Sequence, residues 1–141
     1  MTISHEGQLQ LLTDLLGGGA LENWMFKLYS SNTTPAETDT AATYTEATFT
    51  GYGAKTLTRS VGASTWNTPG LTGSVLAAGC GKSTYGSSAQ SFSATSAQTI
   101  FGYFTVGATS TKLIQAERFA ASITTSNPST IQITPSLEGN G

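Results

Sequence analysis

The 141-residue chain holds a single cysteine, Cys80, and a single histidine, His5. One thiol excludes an intramolecular disulfide, and a zinc site built from four cysteine or histidine donors lacks its ligands. Charge is scarce too: six Lys and Arg and eight Asp and Glu make up 10% of the residues and leave a net charge of −2, against roughly 25% charged residues in ordinary globular domains. Binding to nucleic acid or to an anionic lipid surface draws on clustered Lys and Arg, so neither partner is expected. The apolar runs are short, and none reaches the length of a membrane-spanning helix. Met1 to Glu6 has neither the basic stretch nor the apolar run of an export signal, so the chain is expected to be made in a cytoplasm and kept there until assembly.

What fills the space left by charge is hydroxyl and glycine. Ser and Thr make up about 30% of the chain, with a further 16 Gly, an unusual share for a globular protein. The length suits one domain, which would bury roughly 68 to 70% of its unfolded surface and so needs no covalent staple.

Helical periodicity is confined to one segment. Leu9, Leu12 and Leu16 fall at i, i+3 and i+7, with Leu11 and Leu15 beside them, which makes an apolar stripe on one face of a helix. Ser4 is placed to cap it, Glu6 lies in its first turn, and Gly17 to Gly19 are expected to give a left-handed exit and a break. A helix of about three turns is marginal alone in water, so it must dock on something. The period then changes to two. Trp24, Phe26 and Leu28 alternate with Met25, Lys27 and Tyr29, predicting a strand with one face in the core.

Asn32 to Asp39, with Pro35, reads as a loop. Tyr44 to Leu57 is predicted to form two short strands or one bulged strand interrupted at Gly51 and Gly53. Ser60 to Gln90 has Trp66 as its one large apolar anchor and is expected to hold short strands and long loops. Ile100 to Val106 and Lys112 to Ala120 predict a hairpin around the turn Gly107 to Ser110. Ile131, Ile133 and Leu137 alternate with polar residues in a final strand after the turn at Asn127 and Pro128. Pro135 cannot donate to a ladder, so that strand lies at an edge or ends there. Seven or eight short strands at about ten-residue spacing predict an all-β fold, an antiparallel β-sandwich of jelly-roll type with a short N-terminal helix or arm. The expected organisation is residues 1–20 as that arm and 21–141 as the β domain.

Candidate chemistry is thin. Gly79-Cys80-Gly81-Lys82-Ser83-Thr84 ends like a phosphate-binding loop, but the pattern requires glycine where Leu76 stands, and a helix where Tyr85 to Ser88 forms a glycine-serine stretch. His5 has no Ser, Cys or Asp at an informative spacing and reads as a solvated first-turn residue. Glu117 and Arg118 point to opposite faces of a regular strand, leaving Glu117 to pair with a lysine on a neighbouring strand. Glu37, Asp39 and Glu46 lack calcium-loop spacing. A reactive thiol at Cys80 would need more than the nearby Lys82. Trp24, Tyr52, Trp66 and Tyr103 would stack on sugars if exposed, although strand aromatics more often lie in a core. No catalytic residue, metal or cofactor is assigned, and an enzyme is not expected.

The order of segments says more than any one residue. A leucine-rich helix and glycine break lead to Trp24-Met25-Phe26-Lys27-Leu28-Tyr29-Ser30-Ser31-Asn32-Thr33-Thr34-Pro35 and then Tyr44-Thr45-Glu46-Ala47. Gly51-Tyr52, Ile100-Phe101-Gly102-Tyr103-Phe104, Ala116-Glu117-Arg118-Phe119 and Ile131-Gln132-Ile133-Thr134-Pro135 follow. This string resembles small structural proteins encoded among the head and tail genes of tailed bacteriophages, over most of the chain. The resemblance implies a virion component with a β-sandwich body, displayed in many copies and often trimeric in the capsid decoration (cement) group. It implies a place on the capsid exterior, synthesis in the host cytoplasm, and the major capsid protein as partner. Leu9, Leu12, Leu15 and Leu16 are the expected capsid or subunit contact. The alternative is a tail or fibre adhesion module binding host glycan through exposed Trp66 or Tyr85.

Overall fold

The computed structural model describes residues 1–17, 21–68, 70–72, 80–86 and 89–139. Strand β1 (Thr2–Ile3) precedes helix α1 (His5–Leu16), followed by β2 (Trp24–Tyr29), β3 (Lys55–Leu57), β4 (Gly70–Thr72) and β5 (Cys80–Thr84). Then come β6 (Gln90–Ala94), β7 (Thr99–Gly107), β8 (Leu113–Thr124), β9 (Ser129–Ile133) and β10 (Ser136–Gly139). The fold is all-β with one short helix, and every pairing between these strands is antiparallel. A five-stranded sheet has the order β1-β8-β7-β2-β3, a three-stranded sheet the order β10-β5-β4, and β6 pairs with β9.

The alternation in β2 sets the main core. Trp24, Phe26 and Leu28 share one cluster with Leu57, Phe92, Ile100, Ile114 and Ile131, so the apolar face of the large sheet meets the β6–β9 pair. Phe26 lies 4.9 Å from Tyr103 and 5.8 Å from Phe92, ring centre to ring centre. The opposite face is not left to solvent as a one-sided strand predicts. Tyr29, Tyr44, Phe104, Val106, Leu113 and Ala116 form a second cluster there, with Tyr44 stacked on Phe104 at 5.3 Å. Residues 30–45 fold back to supply Tyr44, which explains why Tyr29 is fully buried although its parity puts it on the outward face.

The hairpin of β7 and β8 forms as predicted, around Gly107 to Ser110. The structure departs from the sequence reading in three further places. Between Tyr44 and Leu57 only Lys55–Leu57 is a strand, apart from an isolated bridge between Glu46 and Tyr29. Here side chains do the work of a ladder: Gln98 Oε1 accepts from the N–H groups of Thr48 and Phe49 at 2.8 and 3.0 Å, and Ser96 Oγ accepts from Thr50 at 2.8 Å. The predicted last strand is two strands in different sheets, broken at Thr134 and Pro135. Pro135 has no N–H for a ladder, and its carbonyl instead accepts from Tyr85 N–H at 2.8 Å. The helix does not leave through a left-handed residue: Gly17 has φ −86°, and its N–H continues the helical bonding to the Thr13 carbonyl at 2.7 Å. Gly18 and Gly19 lie outside the described residues.

Candidate functional site: the outward face of the N-terminal helix

Helix α1 is held by its polar side. Ser4 caps it as the sequence predicts, its Oγ accepting from Gly7 N–H at 3.0 Å. The same hydroxyl donates to the Leu113 carbonyl at 2.5 Å, and Ser4 N–H donates to the Ile114 carbonyl at 3.2 Å. A single buried serine therefore satisfies both the helix end and the bulged start of β8. On the N-terminal side β1 adds to β8, pairing Thr2 with Ala116 and Ile3 with Gln115.

Gly7 permits the close approach, since a Cβ built there would sit 2.1 Å from the Ile114 carbonyl oxygen. Glu6 bonds Lys112 Nζ at 3.1 Å and Leu113 N–H at 3.3 Å. Asp14 pairs with Arg59, whose guanidinium lies 4.9 Å above the Trp24 ring. The inward positions are thus Gly7, Gln10, Leu11 and Asp14, at i, i+3, i+4 and i+7, and of the five leucines only Leu11 packs against the core.

The other four leucines face outward. Leu9 is 67% exposed, Leu12 55%, Leu15 78% and Leu16 81%. A surface helix ordinarily buries its apolar stripe and shows its polar one; α1 does the reverse. The four side chains together expose on the order of 500 Å², the size of the largest apolar patch on a typical monomer, which is often functional. All four residues singled out in the sequence are brought onto this one face.

The other candidates are dispersed or built into the scaffold. His5 is exposed, its Nε2 3.5 Å from Glu37. Asp39 accepts from Tyr44 O–H at 2.7 Å, while Glu46 pairs with Lys27 at 2.8 Å and accepts from Tyr52 O–H at 2.9 Å. Among the described residues no three His, Cys, Asp or Glu side chains come together as metal ligands. Glu117 and Arg118 do point apart, but Glu117 accepts from Tyr103 O–H at 2.6 Å and not from a lysine. Arg118 reaches Asn32 Oδ1 and the Thr33 carbonyl, over the Phe101 ring.

The phosphate-loop-like run is strand β5, hydrogen-bonded to β10 and β4, so its backbone is engaged in a sheet and does not wrap an anion. Gly79, Leu76 and the side chains of Cys80 and Lys82 lie outside what is described. Trp66 and Tyr85 are each 7% exposed and pack edge to face at 5.3 Å, with Trp66 also edge-on to Trp24. Those rings are core and are not presented for stacking on a sugar. Burial pushes the Tyr29 phenol up to about 12 and the Tyr52 and Tyr44 phenols higher still, hydrogen bonds to Glu46 and Asp39 adding to the last two.

Two of the open grooves among the described residues are the following. One, of about 390 Å³, is apolar and lined by Leu21, Trp24, Arg59, Val61, Trp66 and Leu137 among others. The other, of about 490 Å³, runs past Tyr103, Glu117, Phe119 and Gln132.

One polar cluster escaped the sequence. Glu22 clamps the β7–β8 turn, its Oε2 accepting from Thr109 and Ser110 N–H at 2.7 and 2.9 Å and its Oε1 from Ser110 Oγ at 2.5 Å. Burial alone would raise this carboxyl; the three hydrogen bonds outweigh it and hold the group below its ordinary value of 4.5.

No protein-family model matches the chain, and no curated protein matches it.

Proposed function

We propose that the chain is a non-enzymatic structural protein of a bacteriophage particle. In this reading it is a capsid decoration protein whose sheets close face to face as a β-sandwich of jelly-roll type. It sits on the exterior of the head in several copies per site, trimeric as the resemblance implies, with the major capsid protein as its partner. The host cytoplasm is where it is made.

The observation that carries the reading is the inverted helix. A rigid β body holds α1 by its polar side and presents four leucines outward, and such a surface has a use only if another protein covers it. Full burial of one leucine contributes about 1.5 to 3 kcal/mol, part of which is lost to association entropy. A single contact of this kind is modest, and display in several copies on a symmetric lattice raises avidity by roughly 10² to 10⁴. The scarcity of charge fits a protein whose task is adhesion between protein surfaces. The glycan-binding alternative lacks its rings, because Trp66 and Tyr85 are buried.

The test is electron microscopy of particles assembled with and without the gene, together with peptide mass spectrometry of purified particles. Density on the outer head surface that disappears with the gene is expected. Particles that lack the chain, or carry it only in the tail, overturn the decoration role.

A further inference from the structure

We infer that the leucine face of α1 is occupied by the same face of a second copy of this chain, so that copies associate through their N-terminal helices. This deepens the reading above by naming which protein covers the leucines.

The spacing is the first support. Leu9, Leu12 and Leu16 stand at a, d and a of a heptad, with Leu15 at g, the seam by which helices pack on one another. Twelve residues give a helix of about 18 Å, too short to be stable as an isolated coil. In this chain, however, the helix is already formed and capped on β8 before any partner arrives, so association does not have to order it.

Charge is the second support. Every ionisable group of α1 is engaged with the chain's own body or lies at the helix start: Glu6 with Lys112, Asp14 with Arg59, His5 beside Glu37. The exposed residues Gln8, Leu9, Leu12, Thr13, Leu15 and Leu16 are all neutral. Two such faces brought together meet no like charge, which is the condition a self-complementary interface must satisfy. Thr13 does not oppose burial either, because its hydroxyl already donates to the Leu9 carbonyl at 2.8 Å.

Area is the third. On the order of 500 Å² from the leucines of each copy sums, for two copies, to about the 1,000 Å² at which a specific interface begins. A face of this size and neutrality is matched by its own copy without recourse to any other surface.

Sedimentation equilibrium of the full chain and of its Leu12→Glu variant at micromolar concentrations tests the inference, with circular dichroism and thermal melting of both as the folding control. The wild-type chain is expected at an integer multiple, two or more, of 14.5 kDa. Leu12→Glu is expected at the mass of one copy, with association weakened about 100-fold or more, and still folded, with the wild-type circular dichroism spectrum and a cooperative melt lowered only by the loss of association, since Leu12 faces away from the body. Leu9→Gln/Leu16→Gln serves as a second variant and is expected to dissociate likewise. A wild-type chain found at 14.5 kDa throughout, or folded variants that keep the multiple, overturns the inference. Co-sedimentation with phage heads separates it from the reading it deepens. A monomeric chain whose head binding is lost in Leu12→Glu places the coat on the leucines and overturns the inference alone. An oligomer that Leu12→Glu dissociates but that binds no head supports the inference and leaves the decoration role without support.

Discussion

Replacing Gly7 by alanine should destabilise this protein, although the same change in an ordinary helix does the opposite. In an exposed helix interior alanine is favoured over glycine by about 1 kcal/mol. Here the new Cβ would lie 2.1 Å from the Ile114 carbonyl oxygen and 2.8 Å from the two carbons beside it. These are backbone atoms of β8, so no side-chain rotation relieves the overlap, and α1 must move outward by about 1 Å to reach ordinary contact.

A shift of that size takes the 3.2 Å bond from Ser4 N–H to Ile114 beyond hydrogen-bonding range and disturbs the Ser4 hydroxyl that also holds Leu113. Overpacking costs about 1 to 3 kcal/mol and the lost bond about 1 more. Set against the propensity gain, the net loss is about 1 to 3 kcal/mol. Urea denaturation followed by tryptophan fluorescence reads it as a lower midpoint at constant slope. Gly53→Ala is the control, since nothing lies within 4 Å of a Cβ there, and it should be neutral or stabilising by up to about 1 kcal/mol. If Gly7→Ala matched or exceeded the wild-type midpoint, the close docking of α1 on β8 would be refuted.

Glu22→Gln should cost about 1 to 2 kcal/mol at neutral pH by weakening the clamp on Thr109 and Ser110. Because the folded carboxyl lies below 4.5, its contribution is complete above that value and fades as pH falls through the folded one, so the gap between wild type and variant should close in acid; a gap independent of pH counts against the clamp. Thr111 has φ 57° in the β7–β8 turn, a conformation costly for a β-branched side chain, and Thr111→Asn should raise stability by about 0.5 to 1 kcal/mol in thermal melts. Absorbance titration should find Tyr29, Tyr44 and Tyr52 still protonated at about pH 11, since burial raises all three above the ordinary 10.0. The stability this confers is complete below the unfolded value and lost as pH climbs, so their ionisation should coincide with unfolding, and early ionisation without unfolding would contradict their burial.

The features legible in the sequence are those set by near neighbours. Ser4 caps because a serine stands before a helical stripe, the β7–β8 hairpin forms because two apolar runs flank a short polar turn, and Pro135 ends a strand because it has no N–H. What stayed hidden is held together across the chain. Glu22 meets Ser110 from 88 residues away, and Asp14 meets Arg59 from 45; in a chain with so few charges neither partner could be singled out by type. The stretch from Tyr44 to Phe49 carries strand-forming residues yet makes only an isolated bridge to Tyr29, and the N–H groups of Thr48 and Phe49 go instead to the side chain of Gln98, 50 residues on from Thr48. Gly7 was the available clue to the helix. A glycine in the first turn weakens a helix, and its presence there is explained by the backbone of β8 lying where a side chain would be.

The orientation of α1 shows how far periodicity alone carries. The spacing of Leu9, Leu12 and Leu16 defines a stripe but not the direction in which it points; that was decided by Gly7, Gln10, Leu11 and Asp14 on the other side of the same cylinder. Ser4, Glu6 and Asp14 anchor that side through hydrogen bonds and ion pairs to β8, Lys112 and Arg59. The polar anchor and the apolar face therefore share no residue. Folding rests on the first, so exchanging one of the four exposed leucines for a polar residue is expected to leave the chain folded. In the proposed association, a chain with few charges to steer a partner is left with shape and apolar area as the means of recognition, and the exposed leucines of α1 offer both.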